Sequence, residues 1–192
     1  MRIRWPWLLI PALMILGAVG FRVFYVERPQ YLTIHEAIRA GDLVDVKYHL
    51  SHGTELTELD ASGYTLLHSA ALYDRPEVAQ LLLSRGLDAD RVEEGRTVRN
   101  YTALHLAARE NTHEVAALLV ESGADPDARD TEGLTPLHLA ARNDSVEVAR
   151  VLLQHDANVN ARDNHGHTPL GMAVKWKKPH VGRVLVQYHG VK

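Results

Sequence analysis

Apolar residues fall in short blocks at helical spacing, and the blocks recur. Val78, Leu81 and Leu82 form one stripe; Val115, Leu118 and Leu119, then Val148, Val151 and Leu152, then Val181, Val184 and Leu185 form three more. Residues three and four apart share a helix face, so each block predicts an amphipathic helix with one buried edge. A second pattern runs ahead of each stripe, as in Thr135-Pro136-Leu137-His138-Leu139-Ala140-Ala141. Threonine suits an N-cap and proline the first helical position, while the paired small residues let a short helix lie close to a neighbour. The unit predicted is therefore a short inner helix followed by an outer one. Glycine stops the outer helix at Gly53, Gly86 and Gly123, with Asp156 and His189 in the last two units. Gly41, Asp74, Asn111, Asp144 and Lys177 stand between inner and outer helix, where a left-handed residue is needed; lysine suits that least.

The phrase is anchored by His35, His68, His105, His138 and Gly171, at intervals of 33, 37, 33 and 33 residues. Its other copies are Leu32-Thr33-Ile34-His35-Glu36-Ala37-Ile38, Thr65-Leu66-Leu67-His68-Ser69-Ala70-Ala71, Thr102-Ala103-Leu104-His105-Leu106-Ala107-Ala108 and Thr168-Pro169-Leu170-Gly171-Met172-Ala173-Val174. A fixed period of this size means stacked units. The phrase and period resemble the ankyrin repeat, over about residues 30 to 192. The resemblance implies an all-α ankyrin-repeat solenoid of helix-turn-helix units with hairpin loops over 33–192; the residues ahead of it read as one N-terminal hydrophobic helix and a linker at 27–32. The outer units are degenerate: Tyr48 and His49 stand where leucines are expected, and Gly171, Lys177 and His189 depart from the pattern in the last unit, as terminal caps do.

The first 26 residues differ from the rest. Arg2 and Arg4 precede a run without charge from Trp5 to Phe21, and Val23 to Val26 extends it beyond Arg22. As a helix, residues 5–26 would span about 33 Å, enough for a hydrocarbon core of about 30 Å. Trp5, Trp7, Phe21, Phe24 and Tyr25 stand at its ends, as interfacial aromatics do. Residues 1–26 read as an uncleaved transmembrane signal anchor or, since Ala18-Val19-Gly20 resembles a cleavage site, as a signal peptide. A buried helix of the stack is the third reading. The basic start favours the cytoplasmic side for the N-terminus. The repeats are then expected on the periplasmic or extracellular side of an inner or plasma membrane, or free in the periplasm after cleavage.

Without that segment, 18 basic face 24 acidic side chains, a charge of −6 that argues against a nucleic-acid partner. Stacked units line up inner-helix ends and hairpin tips as one docking surface, and the resemblance implies the same. The helix-end positions are Arg39, then Leu72 and Tyr73, Arg109 and Glu110, Arg142 and Asn143, and Lys175 and Trp176. Four of five units thus begin that pair with a cation, and Tyr73 and Trp176 are of the types that dominate binding hot spots. The tips contribute Ala61, Ser62 and Tyr64, Thr131, Glu132 and Leu134, and Asn164, His165 and His167. The 37-residue interval places four extra residues in the segment Arg91 to Arg99, where Val92 and Val98 flank a glycine-containing turn. It reads as an extended hairpin carrying Arg91, Arg96 and Arg99 toward a partner or as a tolerated surface insertion. The expected partner is an acidic protein, with no small-molecule substrate.

The chain has no cysteine, hence no disulfide, thiolate metal site or cysteine nucleophile. Four of its twelve histidines are phrase histidines, spread along the stack rather than converging as a metal requires. The resemblance assigns them to hydrogen bonds tying neighbouring units. His113-Glu114 opens like a zinc-protease helix, but Ala117 replaces the second histidine. No nucleophile elbow, Walker loop or dinucleotide-binding glycine pattern occurs, and no cofactor is expected. The Asn100 and Asn143 sequons matter only in a glycosylating pathway. The function expected is non-catalytic: a membrane-tethered module that scaffolds, stabilises or regulates a protein outside the cytoplasm. A cytoplasm-facing adaptor or an exported microbial effector is the alternative, and a hydrolase the last.

Overall fold

The computed structural model describes residues 29–92 and 99–189. The N-terminal segment expected in the membrane, and Arg96 with most of the insertion, lie outside the described residues. Residues from Tyr31 onward form one compact unit. Among the described residues every regular element is a helix, and there are ten.

Five helix pairs follow the phrase. The inner helices are α1 (Ile34–Ala40), α3 (Leu66–Leu72), α5 (Ala103–Glu110), α7 (Pro136–Asn143) and α9 (Pro169–Lys175). The outer ones are α2 (Leu43–Ser51), α4 (Pro76–Ser84), α6 (His113–Glu121), α8 (Val146–Gln154) and α10 (Pro179–His189). Within each row a helix packs on its neighbours, α1 on α3 through to α7 on α9 and α2 on α4 through to α8 on α10, and each inner helix also packs on the outer helix of its own unit. The alanine pairs explain the closeness of the inner row: Ala70, Ala71, Ala107, Ala108, Ala140 and Ala141 are all fully buried. Val78, Leu82, Val115, Leu119, Val148, Leu152, Val181 and Leu185 close the seam from the outer row. The apolar core is thus one strip running from Ile34 to Leu185 rather than a central mass.

Helix ends behave as their residues dictate. Threonine caps α1, α3, α5, α7 and α9. In the first unit the cap is Thr33, one residue later than in the others, because Leu32 holds the position of Thr65 and Thr102. Each inner-to-outer turn passes through a left-handed residue: Gly41, Asp74, Asn111, Asp144 and Lys177, with φ between 53° and 77°. Even Lys177 adopts that conformation, at φ 54°. Asp156 replaces the glycine that ends the first three outer helices, at φ 62°. The stack reaches back to Tyr31, whose backbone N–H donates to the buried Asp45 carboxylate at 2.9 Å.

Candidate functional site: the inner-helix ridge

Interior histidines come first, because they decide whether the stack holds a reactive centre. His68 Nε2 lies 2.7 Å from the Tyr101 carbonyl, His105 Nε2 3.1 Å from that of Leu134, and His138 Nε2 3.0 Å from that of His167. A carbonyl only accepts, so each Nε2 carries the proton. On the other side Nδ1 meets the hydroxyls of Thr65, Thr102 and Thr135 at 2.7, 2.9 and 3.0 Å. The Thr102 and Thr135 backbone N–H groups also donate to Nδ1, so the rings are held neutral. Burial pushes His68 and His105 down to about 4, and His138 down as well. Each imidazole therefore stitches its own cap to the following loop. Among the described residues no three His, Asp or Glu side chains converge for a metal ion.

The tips are tied by a device absent from the sequence-based reading. Asp60 Oδ1 accepts from Ser62 and Tyr64, Asp130 Oδ1 from Glu132 and Leu134, and Asp163 Oδ1 from His165 and His167, all between 2.7 and 2.9 Å. The 33-residue spacing of Asp130 and Asp163 was the available signal. Burial raises the Asp130 carboxyl, whose Oδ2 has no hydrogen-bond partner. Asn164 then bridges tips, Nδ2 donating to the Thr131 carbonyl at 3.1 Å and its backbone N–H to that of Glu132 at 3.0 Å. Leu134 turns inward and is buried, so it has no part in a docking surface. Thr131, Glu132, Asn164 and His165 stay exposed.

Along the inner-helix ends, cations sit on aromatic faces of the next unit. The Arg39 guanidinium lies 5.5 Å from the Tyr73 ring centre, and that of Arg142 5.3 Å from Trp176. Trp176 remains 48% exposed. Arg109 Nε donates to the neighbouring Glu110 at 2.7 Å. Leu72 is half-buried against the core and Lys175 is exposed. Between these ends and the tips lies a hollow of about 330 Å³, lined by Tyr64, Arg99, Tyr101, Arg109, Leu139, Arg142 and Asn143. Arg99 stands 6.0 Å from the Tyr101 ring centre and 3.9 Å from the Glu132 carboxylate. Three arginines thus line one concavity, and two of them already face a carboxylate, Arg109 that of Glu110 and Arg99 that of Glu132. Arg91 is half-buried away from this hollow.

Sequence inspection had named all three arginines but not their convergence, which needs two loops and two helices. It had also passed over Tyr101. The signal for Tyr101 was its place four residues before the phrase histidine, shared with Tyr64. Each tyrosine ring stacks on its histidine, at 5.7 Å and 10° for Tyr64 and 5.4 Å and 4° for Tyr101.

Comparison with known proteins agrees with this architecture. The family model for ankyrin repeats in three copies matches residues 34–130 and 104–192. Protein phosphatase 1 regulatory subunit 27 of Homo sapiens is 34% identical over 61 residues, 32% of this chain and 40% of that protein; its Mus musculus counterpart matches equally. SH3 and multiple ankyrin repeat domains protein 2 of Homo sapiens is 40% identical over 53 residues, 28% of this chain and 3% of that protein. The match therefore spans less than half the length of each of these relatives.

Proposed function

The chain belongs to the ankyrin-repeat family, and from that premise we propose that it is a non-catalytic module that binds an acidic protein through the inner-helix ridge. Ankyrin repeats are interaction scaffolds whose stacked units present one continuous surface. Two relatives are named as regulatory subunits of a phosphatase and one for its SH3 and multiple ankyrin repeat domains, which supports a role in regulating a partner.

The observation that carries the reading is the arginine-bordered hollow, with Arg99, Arg109 and Arg142 around the Tyr64 and Tyr101 rings. Guanidinium forks pair with carboxylates in bidentate fashion, and tyrosine adds area at little entropic cost. Tyr73 and Trp176 extend the same edge, each already positioned by an arginine. His68, His105 and His138, by contrast, are saturated by structural bonds and turned into the stack. Residues 1–26 support tethering to a membrane, with the repeats on the periplasmic or extracellular side, on the strength of their uncharged run and basic start. Among the described residues no helix is long and apolar enough to cross a membrane.

Crosslinking in native membranes, followed by retention assays, tests the docking face. Arg109→Glu with Arg142→Glu, and separately Tyr73→Ala with Trp176→Ala, should each lower partner retention about tenfold or more while the melting temperature falls by only a few degrees. Retention equal to wild type in both would end the reading. Alkaline-phosphatase and fluorescent-protein fusions at the C-terminus test the topology; signal only from the fluorescent fusion would place the repeats in the cytoplasm.

A further inference from the structure

The last unit leaves open a face that every other unit closes. Three residues beyond each phrase anchor stand Ile38, Ala71, Ala108 and Ala141, all fully buried because the next unit lies over them. The equivalent residue in the fifth unit is Val174, and it is 72% exposed. The outer row shows a graded break. Leu50 and Leu83 are half-buried and Val120 and Leu153 buried, whereas their equivalent, Val186, is 57% exposed. Between Val174 and Val186 runs an apolar groove of about 550 Å³, floored by Leu170, Ala173 and Gly182. Gly182 stands where earlier units have the buried Ala79, Ala116 and Ala149, and its nearest outside neighbour to an added Cβ would be 3.9 Å away. The floor is lowered by one methyl.

The opposite end of the stack differs at the matching inner position, although Leu32 and Val44 of the first unit are exposed. Positions facing a preceding unit carry Ser69, Leu106, Leu139 and Met172, all buried; the first unit has exposed Glu36 there. Tyr48 and His52 stack on each other at 3.9 Å on its outer helix. That is how a terminal repeat normally keeps itself soluble. The last unit departs from it.

Charge identifies what the open face fits. All 24 acidic side chains precede Asn164, while five of the 21 basic ones follow it. Lys177, Lys178 and Arg183 border the groove. The neighbouring carboxylate, Asp144, is engaged by His180 Nδ1 at 2.8 Å and the Val181 N–H at 2.9 Å. We propose that this groove docks an acidic amphipathic helix from a partner protein, seated where a sixth unit would stack. Its apolar stripe would meet Val174, Val186 and the Gly182 floor, and carboxylates along its flanks would meet the three cations. A recessed floor receives a cylinder better than a planar lipid surface. The last unit of a second copy would bring a groove of like charge against this one.

Fluorescence anisotropy of the purified full chain tests this. The probe is a fluorescein-labelled 15-residue peptide with leucines at helical spacing and glutamates elsewhere. We expect saturable binding that weakens with salt, and at least tenfold weaker binding for a scrambled peptide or one with lysine for glutamate. Val174→Asp with Val186→Asp, and independently Lys177→Glu with Arg183→Glu, should each weaken binding at least tenfold; both pairs are exposed, so far-UV dichroism should not change. Arg109→Glu with Arg142→Glu should leave this binding unchanged, which separates the groove from the ridge. Unaltered affinity in both groove variants overturns the proposal, as does equal affinity for the scrambled peptide. Two further outcomes overturn it. One is groove-dependent sedimentation with phosphatidylglycerol vesicles without peptide binding; the other is self-association abolished by Val174→Asp.

Discussion

The three middle units and the first unit carry the same histidine but use it differently. His68, His105 and His138 reach a carbonyl in the next loop with one nitrogen and their own capping threonine with the other. His35 does neither. Its capping position holds Leu32, so no hydroxyl stands ready for Nδ1, and Ser69 of the second unit takes that role at 2.8 Å. Its Nε2 is buried without a hydrogen-bond partner. Burial still lowers its pKa, opposed by the Asp60 carboxylate and by the Glu58 carbonyl, which acts on the ring without the well-formed bond of the middle units. The difference teaches that the phrase is a joint made by threonine and histidine together. A one-residue slip of the threonine undoes the joint while leaving the helix capped.

The sharpest test of that contrast is truncation. His105→Ala should cost about 3–5 kcal/mol in urea unfolding, since it empties a fully buried site and strands the Thr102 hydroxyl and the Leu134 carbonyl. His35→Ala should cost about 1 kcal/mol, having one side-chain bond to lose. Equal losses would break the comparison.

Acid should reveal the same joints. His68 and His105 are held near 4 in the folded chain by burial, against an ordinary value of about 6.5 when unfolded. Below 6.5 the unfolded chain gains protons that the folded chain refuses. Their contribution is therefore complete above about pH 6.5 and lost as pH falls toward 4, at most roughly 3 kcal/mol each. The melting temperature should drop across that window, and His105→Gln should flatten the drop. A melting temperature constant from pH 7 to 4 would refute neutral, buried rings.

Glycine replacements compare two turns of the first unit. Gly41→Ala places a Cβ 2.8 Å from Arg75 Nε, whose guanidinium also bonds the Arg39 carbonyl. Gly53→Ala meets nothing within 4 Å. Both have positive φ, so both should destabilise by about 1 kcal/mol, with Gly41→Ala higher by about another 1. The smallest effect belongs to the contact between the fourth and fifth units. Arg142→Ala should cost about 0.5–1 kcal/mol through loss of its seat over Trp176, and should shift Trp176 fluorescence.

Legibility followed the range of the interaction. Capping threonines, left-handed turn residues and outer-helix stripes involve neighbours within four residues, so Thr102, Asn111 and the Val115–Leu119 edge could be read directly. The ridge was legible as a row, since a 33-residue period aligns Arg109 with Arg142. The hollow was not, because Arg99 and Tyr101 come from a loop after the irregular 37-residue interval, where alignment by period slips. Leu134 was misplaced at the tip surface because alternation along a turn does not reveal which way Asp130 twists it.

The sequence by itself settled the repeating unit, its helices and the order of stacking, because those depend on periodic local chemistry. Tertiary structure alone decided which equivalent positions are covered. Ala141 and Val174 occupy the same place in the phrase, yet one is sealed by a neighbouring unit and the other faces solvent. Burial belongs to what lies across a seam, and no side chain carries that information within itself.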